Sequence, residues 1–135
     1  MRIEQLTVNE ANNYAVPLID STIGKHTGIQ TGEYEGEQDD LVDLWGAWKS
    51  NRLIGVIGIG SKMPGINRYY LGYFCVDPNF QRKGVGKALL RYLEAEIHSR
   101  RIERIVVETY DSEYFSAARL FYNRNGFIPC GCLDD

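Results

Sequence analysis

The segment that most constrains this chain is Gln81-Arg82-Lys83-Gly84-Val85-Gly86-Lys87. It joins an aromatic, apolar run at residues 69–76 to residues 84–100, whose apolar side chains recur with helical spacing. Two glycines let the backbone pass close to an anion, and the first turn of a helix offers N–H groups without intrahelical partners. The helix dipole and the three basic side chains favour the same ligand. The segment therefore predicts a pyrophosphate-binding turn between a strand and a helix.

Two other phosphate-binding loops do not fit these residues. A Walker loop needs Ser or Thr after its Gly-Lys pair to hold magnesium, whereas Lys87 is followed by Ala88. A Rossmann turn carries a third glycine, which is missing here. The alternative that stays open is an ordinary glycine-containing helix start with a solvated basic turn.

Length and composition predict one domain, residues 1–135, because 135 residues with 44% hydrophobic content suffice to bury a core. The sequence shows neither a secretory signal nor a long apolar span, so we expect a cytoplasmic protein without a membrane partner. The three cysteines are odd in number, and both histidines are distant from the Cys130-x-Cys132 pair. We therefore expect free thiols and no metal site.

Charge is unevenly distributed along the chain, although the net charge is only −3. Residues 1–48 carry nine acids and two bases, whereas residues 81–104 carry seven bases and three acids. The net charge argues against a nucleic-acid partner. The distribution favours an anionic cofactor at one end of a cleft and a cationic substrate at the other. The plain alternative is solvated surface.

The predicted elements alternate between strands and helices, with a parallel crossover after the glycine turn. Gly126 is expected to end the last helix in a left-handed cap. The expected order is strand 3–7, a helix from about residue 9 bent at Pro17, hairpin strands 41–48 and 53–61, strand 69–76, helix 84–100, strand 104–110, a helix to about residue 125, and strand 127–130. This order predicts an α/β chain with a mixed sheet.

Two segments together resemble the GNAT superfamily of N-acetyltransferases. The first is Phe74-Cys75-Val76-Asp77-Pro78-Asn79-Phe80-Gln81-Arg82-Lys83-Gly84-Val85-Gly86-Lys87-Ala88-Leu89-Leu90, and the second is Ala118-Arg119-Leu120-Phe121-Tyr122-Asn123-Arg124-Asn125-Gly126-Phe127. The first contains the family's Gln/Arg-x-x-Gly-x-Gly/Ala signature. The resemblance implies an acyl-CoA N-acyltransferase fold, in which a central mixed sheet is splayed around its middle and flanked by helices.

The resemblance also implies acetyl-CoA as cosubstrate, lying between strands 69–76 and 104–110. Backbone N–H groups of the glycine turn would hold its pyrophosphate, and the backbone of two strand residues would bond the pantetheine and polarise the thioester carbonyl. The implied cofactor-binding residues are Cys75, Val76, Gln81, Arg82, Lys83, Gly84, Val85, Gly86 and Lys87. Phe115 departs from the family, since many relatives carry a pantetheine-binding asparagine there.

The resemblance implies Tyr122 as the general acid that protonates the departing sulfur, and a phenol with an ordinary pKa near 10 suits a thiolate leaving group. A helix tyrosine that simply packs is the alternative. The general base is harder to assign, because residues 69–73 lack the carboxylate that many relatives carry. Glu108 is the best single candidate, and an acid from residues 33–40 is another.

The function that these residues predict is acetyl transfer to a primary amine by direct attack. Five acids between residues 33 and 40, with Asp43 just beyond, favour a cationic acceptor such as a polyamine, an aminoglycoside or a lysine side chain. The alternative is a non-catalytic acyl-CoA sensor. The short C-terminus after strand 127–130 leaves an open edge, so we also expect a homodimer.

Overall fold

The computed structural model describes residues 1–24, 41–60, 68–107 and 113–128. These residues form a mixed five-stranded sheet with spatial order β1-β2-β3-β4-β5. The first four strands are antiparallel neighbours, whereas β5 runs parallel to β4. The strands are β1 (Arg2–Gln5), β2 (Leu41–Lys49), β3 (Arg52–Gly60), β4 (Arg68–Val76) and β5 (Arg104–Val106). The expected mixed sheet, its hairpin and the parallel crossover are confirmed.

The N-terminal helical segment is divided into short pieces, α1 (Val8–Glu10) and α2 (Val16–Ile19), each followed by a wider π-helical turn. The first piece begins with a capping box: the Thr7 hydroxyl accepts from the Glu10 N–H, and the Glu10 carboxylate accepts from the Thr7 N–H. Pro17 cannot donate to the preceding turn. The break in regular helix next to it agrees with the expected bend.

Two longer elements complete the described helices, α3 (Val85–Ser99) and α4 (Ser116–Arg124). Short 3₁₀ turns precede them at Pro78–Phe80 and Glu113–Phe115. The expected helix 84–100 is thus confirmed, with Gly84 as its N-cap residue. Asp111 and Ser112, the residues whose side chains could cap the last helix, lie outside the described residues.

The sheet is covered on both faces, and β3 runs through its middle with every residue from Leu53 to Gly60 buried. One face packs on the N-terminal helices through Ala11, Ala15 and Ile19, and the other packs on α3. At Gly55 a β-carbon would come within 2.9 Å of the Leu89 side chain. Burial on both faces explains why β3 lacks the alternation of a half-exposed strand.

Within the described residues, β4 loses its β5 partner after Tyr70, and we call the unpaired edge of β4 beyond this point the opening. The two strands pair at Arg68–Arg104, Tyr69–Ile105 and Tyr70–Val106, and the described residues show no pairing beyond that point. The strand expected over 104–110 is therefore observed only over Arg104–Val106; residues 108–110 lie outside the described part. Residues 127 and 128 are not in a strand, and residues 129–135, which carried the expectation of a homodimer, also lie outside.

Candidate functional site

A bulge interrupts β4 beside the opening. Gly58 pairs with Gly72 and Val56 with Cys75, so Tyr73 and Phe74 together oppose one residue of β3. Tyr73 takes a left-handed conformation, φ 53°, and is 37% exposed. Non-glycine residues seldom adopt this conformation, and bulges of this kind are enriched next to active sites. The second half of β4 is thus bent away from regular pairing where the sheet opens.

The backbone of Val76 faces the opening. The Gln81 side-chain amide donates to the Val76 carbonyl at 3.1 Å, whereas the next residue, Asp77, donates its N–H to Ile54 of β3 at 2.8 Å. Because backbone groups of successive strand residues alternate between the two edges, the Val76 N–H also points away from β3. This places a backbone donor in the gap where the resemblance put the pantetheine.

Asp77 anchors the turn that follows β4. Its carboxylate is buried, with one oxygen accepting from the Asn79 N–H at 2.9 Å and the other paired with the Arg52 guanidinium at 2.8 Å. Its carbonyl accepts from the Phe80 N–H at 2.8 Å. Sequence reasoning missed this role, although an Asp-Pro pair at a helix start is a recognisable capping signal.

The N-terminus of α3 is open to an anion. Gly84, with φ 84°, precedes the helix and provides no side-chain cap, and apart from the adjoining chain no atom of the described residues lies within 4 Å of the position its β-carbon would take. The Ala88 N–H bonds back to the Gly84 carbonyl at 3.0 Å, so the N–H groups of residues 85–87 precede the first intrahelical bond. Such a terminus binds phosphate through its N–H groups and dipole.

Gly86 lies where α3, β4 and α4 meet. A β-carbon there would be 3.7 Å from side-chain atoms of Phe74 and Val76 and 3.9 Å from Phe121. These are ordinary contact distances, so the absence of a side chain at Gly86 leaves space between the helix start and the gap-facing end of β4.

Tyr122 belongs to an aromatic cluster on the α3 side of the sheet. Its ring centroid lies 6.2 Å from that of Phe74, 5.8 Å from that of Phe121 and 5.2 Å from that of Phe127. Burial raises the pKa of Tyr122 well above its usual value. Within the described residues, its hydroxyl has no hydrogen-bond partner. A protonated phenol therefore lies beside the residue that precedes Cys75 in β4.

The end of α4 fixes Tyr122 in this cluster. Gly126 is left-handed, φ 91°, and the Phe127 N–H donates to the Tyr122 carbonyl at 3.0 Å. This backbone bond and the ring contact between the same two residues form a Schellman motif with its hydrophobic pair. The left-handed cap expected at Gly126 is confirmed, and it explains the five-residue spacing in Tyr-x-x-x-Gly-Phe.

Cys75 is buried in the core on the face of the N-terminal helices. Burial raises the pKa of its thiol to about 11, against a smaller opposing effect of a hydrogen bond with Thr22. At neutral pH the side chain is therefore a thiol rather than a nucleophilic thiolate. This argues against a covalent acyl-cysteine route, and the backbone of Cys75 pairs with Val56 of β3 rather than facing the gap.

Asp43 does not add free negative charge to an acceptor site. Its carboxylate is paired with Arg100 at 2.5 Å and accepts from the Gln5 side chain at 2.6 Å. Trp45 and Trp48, the two tryptophans of β2, are buried in the core. Glu108 and the acidic residues 33–40 lie outside the described residues.

Val76 and Gln81–Lys87 therefore lie together at the end of β4, and Tyr122 contacts the ring of Phe74 in the same strand. Among the described residues, no group of three or more His, Cys, Asp or Glu side chains is placed to hold a metal ion. The helices in that part of the chain are also too short or too polar to cross a membrane.

Comparison with known proteins agrees with this geometry. A model of the family described as "Acetyltransferase (GNAT) domain" matches residues 40–129. The uncharacterized N-acetyltransferase YedL of Escherichia coli (strain K12) is 27% identical over 93 residues, which are 69% of this chain and 57% of that protein. The chain thus spans less than two thirds of this relative.

Solved structures share the fold at low sequence identity. The ribosomal-protein-alanine N-acetyltransferase of Brucella melitensis biovar Abortus 2308 superimposes with a TM-score of 0.77 at 16% identity, covering 99% of this chain and 96% of that one. An aminoglycoside N-acetyltransferase in complex with CoA gives 0.72 at 15% identity, covering 99% and 96%. The sheet opening, the uncapped helix after it and the family match over two thirds of the residues lead to one conclusion: the chain belongs to the GNAT family of acetyltransferases.

Proposed function

We propose that this protein transfers the acetyl group of acetyl-CoA to a primary amine. The observation that carries the proposal is the opening between β4 and β5, which has a backbone donor at Val76 on one side and the uncapped start of α3 at its end. The backbone donor suits the thioester arm of acetyl-CoA, and the helix start suits the pyrophosphate at the other end of that arm. Acetyl-CoA supplies the activated acyl group, and the chain supplies the surroundings.

The residues fit this cosubstrate in charge as well as shape. Arg82, Lys83 and Lys87 are exposed around the helix start, and the N–H groups of residues 85–87 are available to phosphate oxygens. Arg82 takes a left-handed conformation, φ 61°, which turns the chain two residues before Gly84. We assign the pyrophosphate to this turn, and the pantetheine to the backbone of Val76, because that of Cys75 is directed towards β3.

The chemistry follows from the groups around the gap. The amine nitrogen forms a bond to the thioester carbon as the carbon–sulfur bond breaks, and the sulfur leaves with the electron pair. The Tyr122 hydroxyl donates the proton that the sulfur needs, and Glu108, outside the described residues, is the proposed acceptor of the proton that the amine loses. The Val76 N–H stabilises the charge that develops on the carbonyl oxygen.

Burial of Tyr122 affects this step in two ways. The raised pKa keeps the phenol protonated across the neutral range, so the proton donor is available at the start of each turnover. It also makes a lasting phenolate unfavourable, because the charged form is poorly solvated. Proton return from the base to Tyr122 must therefore complete each turnover.

The acceptor we propose is a cationic amine. The acids between residues 33 and 40 support this class through their negative charge. Asp43 does not contribute to this charge, because it is already paired with Arg100. The similar structures include enzymes named for ribosomal-protein alanine and for aminoglycosides, so the fold alone is compatible with both protein and small-molecule amines.

A sensor that binds acyl-CoA without turnover is the second candidate, favoured by the absence of a carboxylate in β4 between residues 69 and 73. Incubation with acetyl-CoA and a panel of polyamines, aminoglycosides and lysine peptides separates the two. Amine-dependent release of free CoA thiol is expected for the transferase. Thermal stabilisation by acetyl-CoA without thiol release for any amine would favour the sensor.

A further inference from the structure

A cluster of three basic side chains surrounds the ring of Phe80, next to the proposed pyrophosphate turn. The Lys49 and Lys83 ammonium nitrogens each lie 5.6 Å from the ring centroid, and the Arg52 guanidinium carbon lies 5.4 Å from it. The three residues come from the end of β2, the start of β3 and the turn before α3. We call this set the Phe80 basic cluster.

Two of the three charges in the Phe80 basic cluster lack a carboxylate partner among the described residues. Arg52 is paired with the buried Asp77 at 2.8 Å. Neither Lys49 nor Lys83 forms an ion pair within residues 1–24, 41–60, 68–107 and 113–128, and both side chains are exposed. The negative face of an aromatic ring offsets part of the repulsion between neighbouring cations. In a chain with net charge −3, this is a local excess of positive charge suited to a multiply charged anion.

The position of the cluster indicates which anion. Lys83 directly precedes Gly84, and Phe80 lies four residues before it, so the cluster borders the open start of α3. In CoA the ribose that carries the diphosphate on its 5′ oxygen also carries a phosphomonoester on its 3′ oxygen. A diphosphate at the helix start therefore brings the phosphomonoester to within one ribose of this turn.

We propose that Lys49 and Lys83 bind the 3′-phosphate of CoA, while Arg52, held by Asp77, supports the cluster. The inference rests on the proposed use of acetyl-CoA. A phosphomonoester carries a charge of roughly −1.5 to −2 at pH 7, which matches two uncompensated ammonium groups. The two lysines thereby make the protein selective for CoA over 3′-dephospho-CoA, which differs from CoA only in lacking this phosphate.

Calorimetric titration with CoA and with 3′-dephospho-CoA tests the proposal. The wild type should bind CoA at least roughly tenfold more tightly. Lys49→Gln and Lys83→Gln should each lower CoA affinity by roughly 3- to 10-fold, and Lys49→Gln, which lies outside the pyrophosphate turn, should leave 3′-dephospho-CoA affinity unchanged within about twofold. Because the two side chains are exposed, the loss for CoA should shrink as ionic strength rises.

Two control variants separate this role from general electrostatics. Arg104→Gln makes the same change in net charge at the far end of the sheet, where β5 begins beside Arg68, and should leave both affinities unchanged. Lys87→Gln, in the pyrophosphate turn, should lower both affinities alike. Equal wild-type affinity for the two ligands, or an equal loss for both in Lys49→Gln, would overturn the inference alone. A wild type that binds neither would overturn the proposed function with it.

Discussion

The rings of Tyr122 and Phe127 lie 5.2 Å apart, centroid to centroid, and the Phe127 N–H donates to the Tyr122 carbonyl at 3.0 Å. One pair of residues thus closes the end of α4 both through the backbone and through side chains. The Tyr122 ring packs on Phe127 and the Tyr122 carbonyl accepts the backbone hydrogen bond, whereas the proposed catalytic group is the hydroxyl. The packing and catalytic interpretations of Tyr122 therefore concern different atoms and can be tested separately.

Replacement of Tyr122 by Phe keeps the ring contacts and removes the proposed proton donor. We expect turnover to fall by roughly 10²- to 10⁴-fold, the scale of a positioned general acid. Acetyl-CoA affinity should barely change. Steady-state kinetics and calorimetry measure the two quantities, and Tyr92→Phe, on α3, is the matched control that should keep normal turnover. A Tyr122→Phe enzyme with near-normal turnover under chemistry-limited conditions would leave Tyr122 as a packing residue.

The pH dependence of turnover should reflect the burial of Tyr122. A phenol with an ordinary pKa would begin to lose its proton near pH 10. Because burial raises the pKa of Tyr122, its ionisation moves above this point, so we expect no alkaline loss of turnover from this group up to about pH 10. A kcat profile of wild type and Tyr122→Phe checks this. An alkaline limb below pH 10 that disappears in the variant would contradict it.

The start of α3 offers a matched pair of substitutions at Gly84. Asn and Asp tolerate the left-handed conformation about equally, and the space around a β-carbon there is open, so both variants should fold. Gly84→Asp places a carboxylate where the phosphates are proposed to lie, whereas Gly84→Asn adds similar bulk without charge. We expect a much larger loss of acetyl-CoA affinity for the Asp variant by calorimetry. Equal affinities in the two variants would remove the pyrophosphate from this turn.

The buried thiol of Cys75 should make the fold sensitive to alkali. The folded-state pKa is raised from an ordinary 9.0 to about 11, so the folded protein keeps this proton to higher pH than the unfolded chain does. This contribution to stability is complete below pH 9 and is lost as the pH rises towards about 11, a change of roughly 3 kcal/mol in the free energy of unfolding.

Urea denaturation from pH 8 to pH 11 measures this change, with Cys75→Ala as the comparison. The variant should be less stable at pH 8, because it leaves a small cavity, but it lacks the thiol ionisation. The difference between the two proteins should therefore narrow above pH 9. Parallel stability curves across this range would show that the thiol does not titrate as its burial requires.

The sequence predicted the elements whose signals are local. Helical spacing and Gly84 define α3, and Gly126 ends α4 where a left-handed residue was expected. The family resemblance implied a sheet splayed between these strands, and among the described residues the pairing of β4 with β5 ends at Tyr70 and Val106. The two helix features depend on residues that are close together in the chain. The third depends on family motifs whose residues and spacing can be recognised in the sequence.

Other features were missed because they arise from contacts between distant residues or from irregular backbone. Asp43 and Arg100 are 57 positions apart, so no local pattern reveals that this acid is neutralised. The alternation in β2 and β3 was obscured by register shifts in the hairpin and by burial on both faces of β3. The left-handed Tyr73 depends on a bulge that forms only when β4 pairs with β3.

Because β4 and β5 pair over only a short length, we expect α4 and the core of the sheet to differ in local stability. Three residue pairs connect β5 to the sheet, and α4 has no fully buried residue. Segments with few buried contacts open at lower free energy than the core. Amide protons of α4 should therefore exchange with solvent faster than those of β3, and they should slow when acetyl-CoA bridges the gap. In the proposed enzyme, the proton donor is therefore carried by a helix that opens more readily than the central strand, and the bound cosubstrate stabilises that helix.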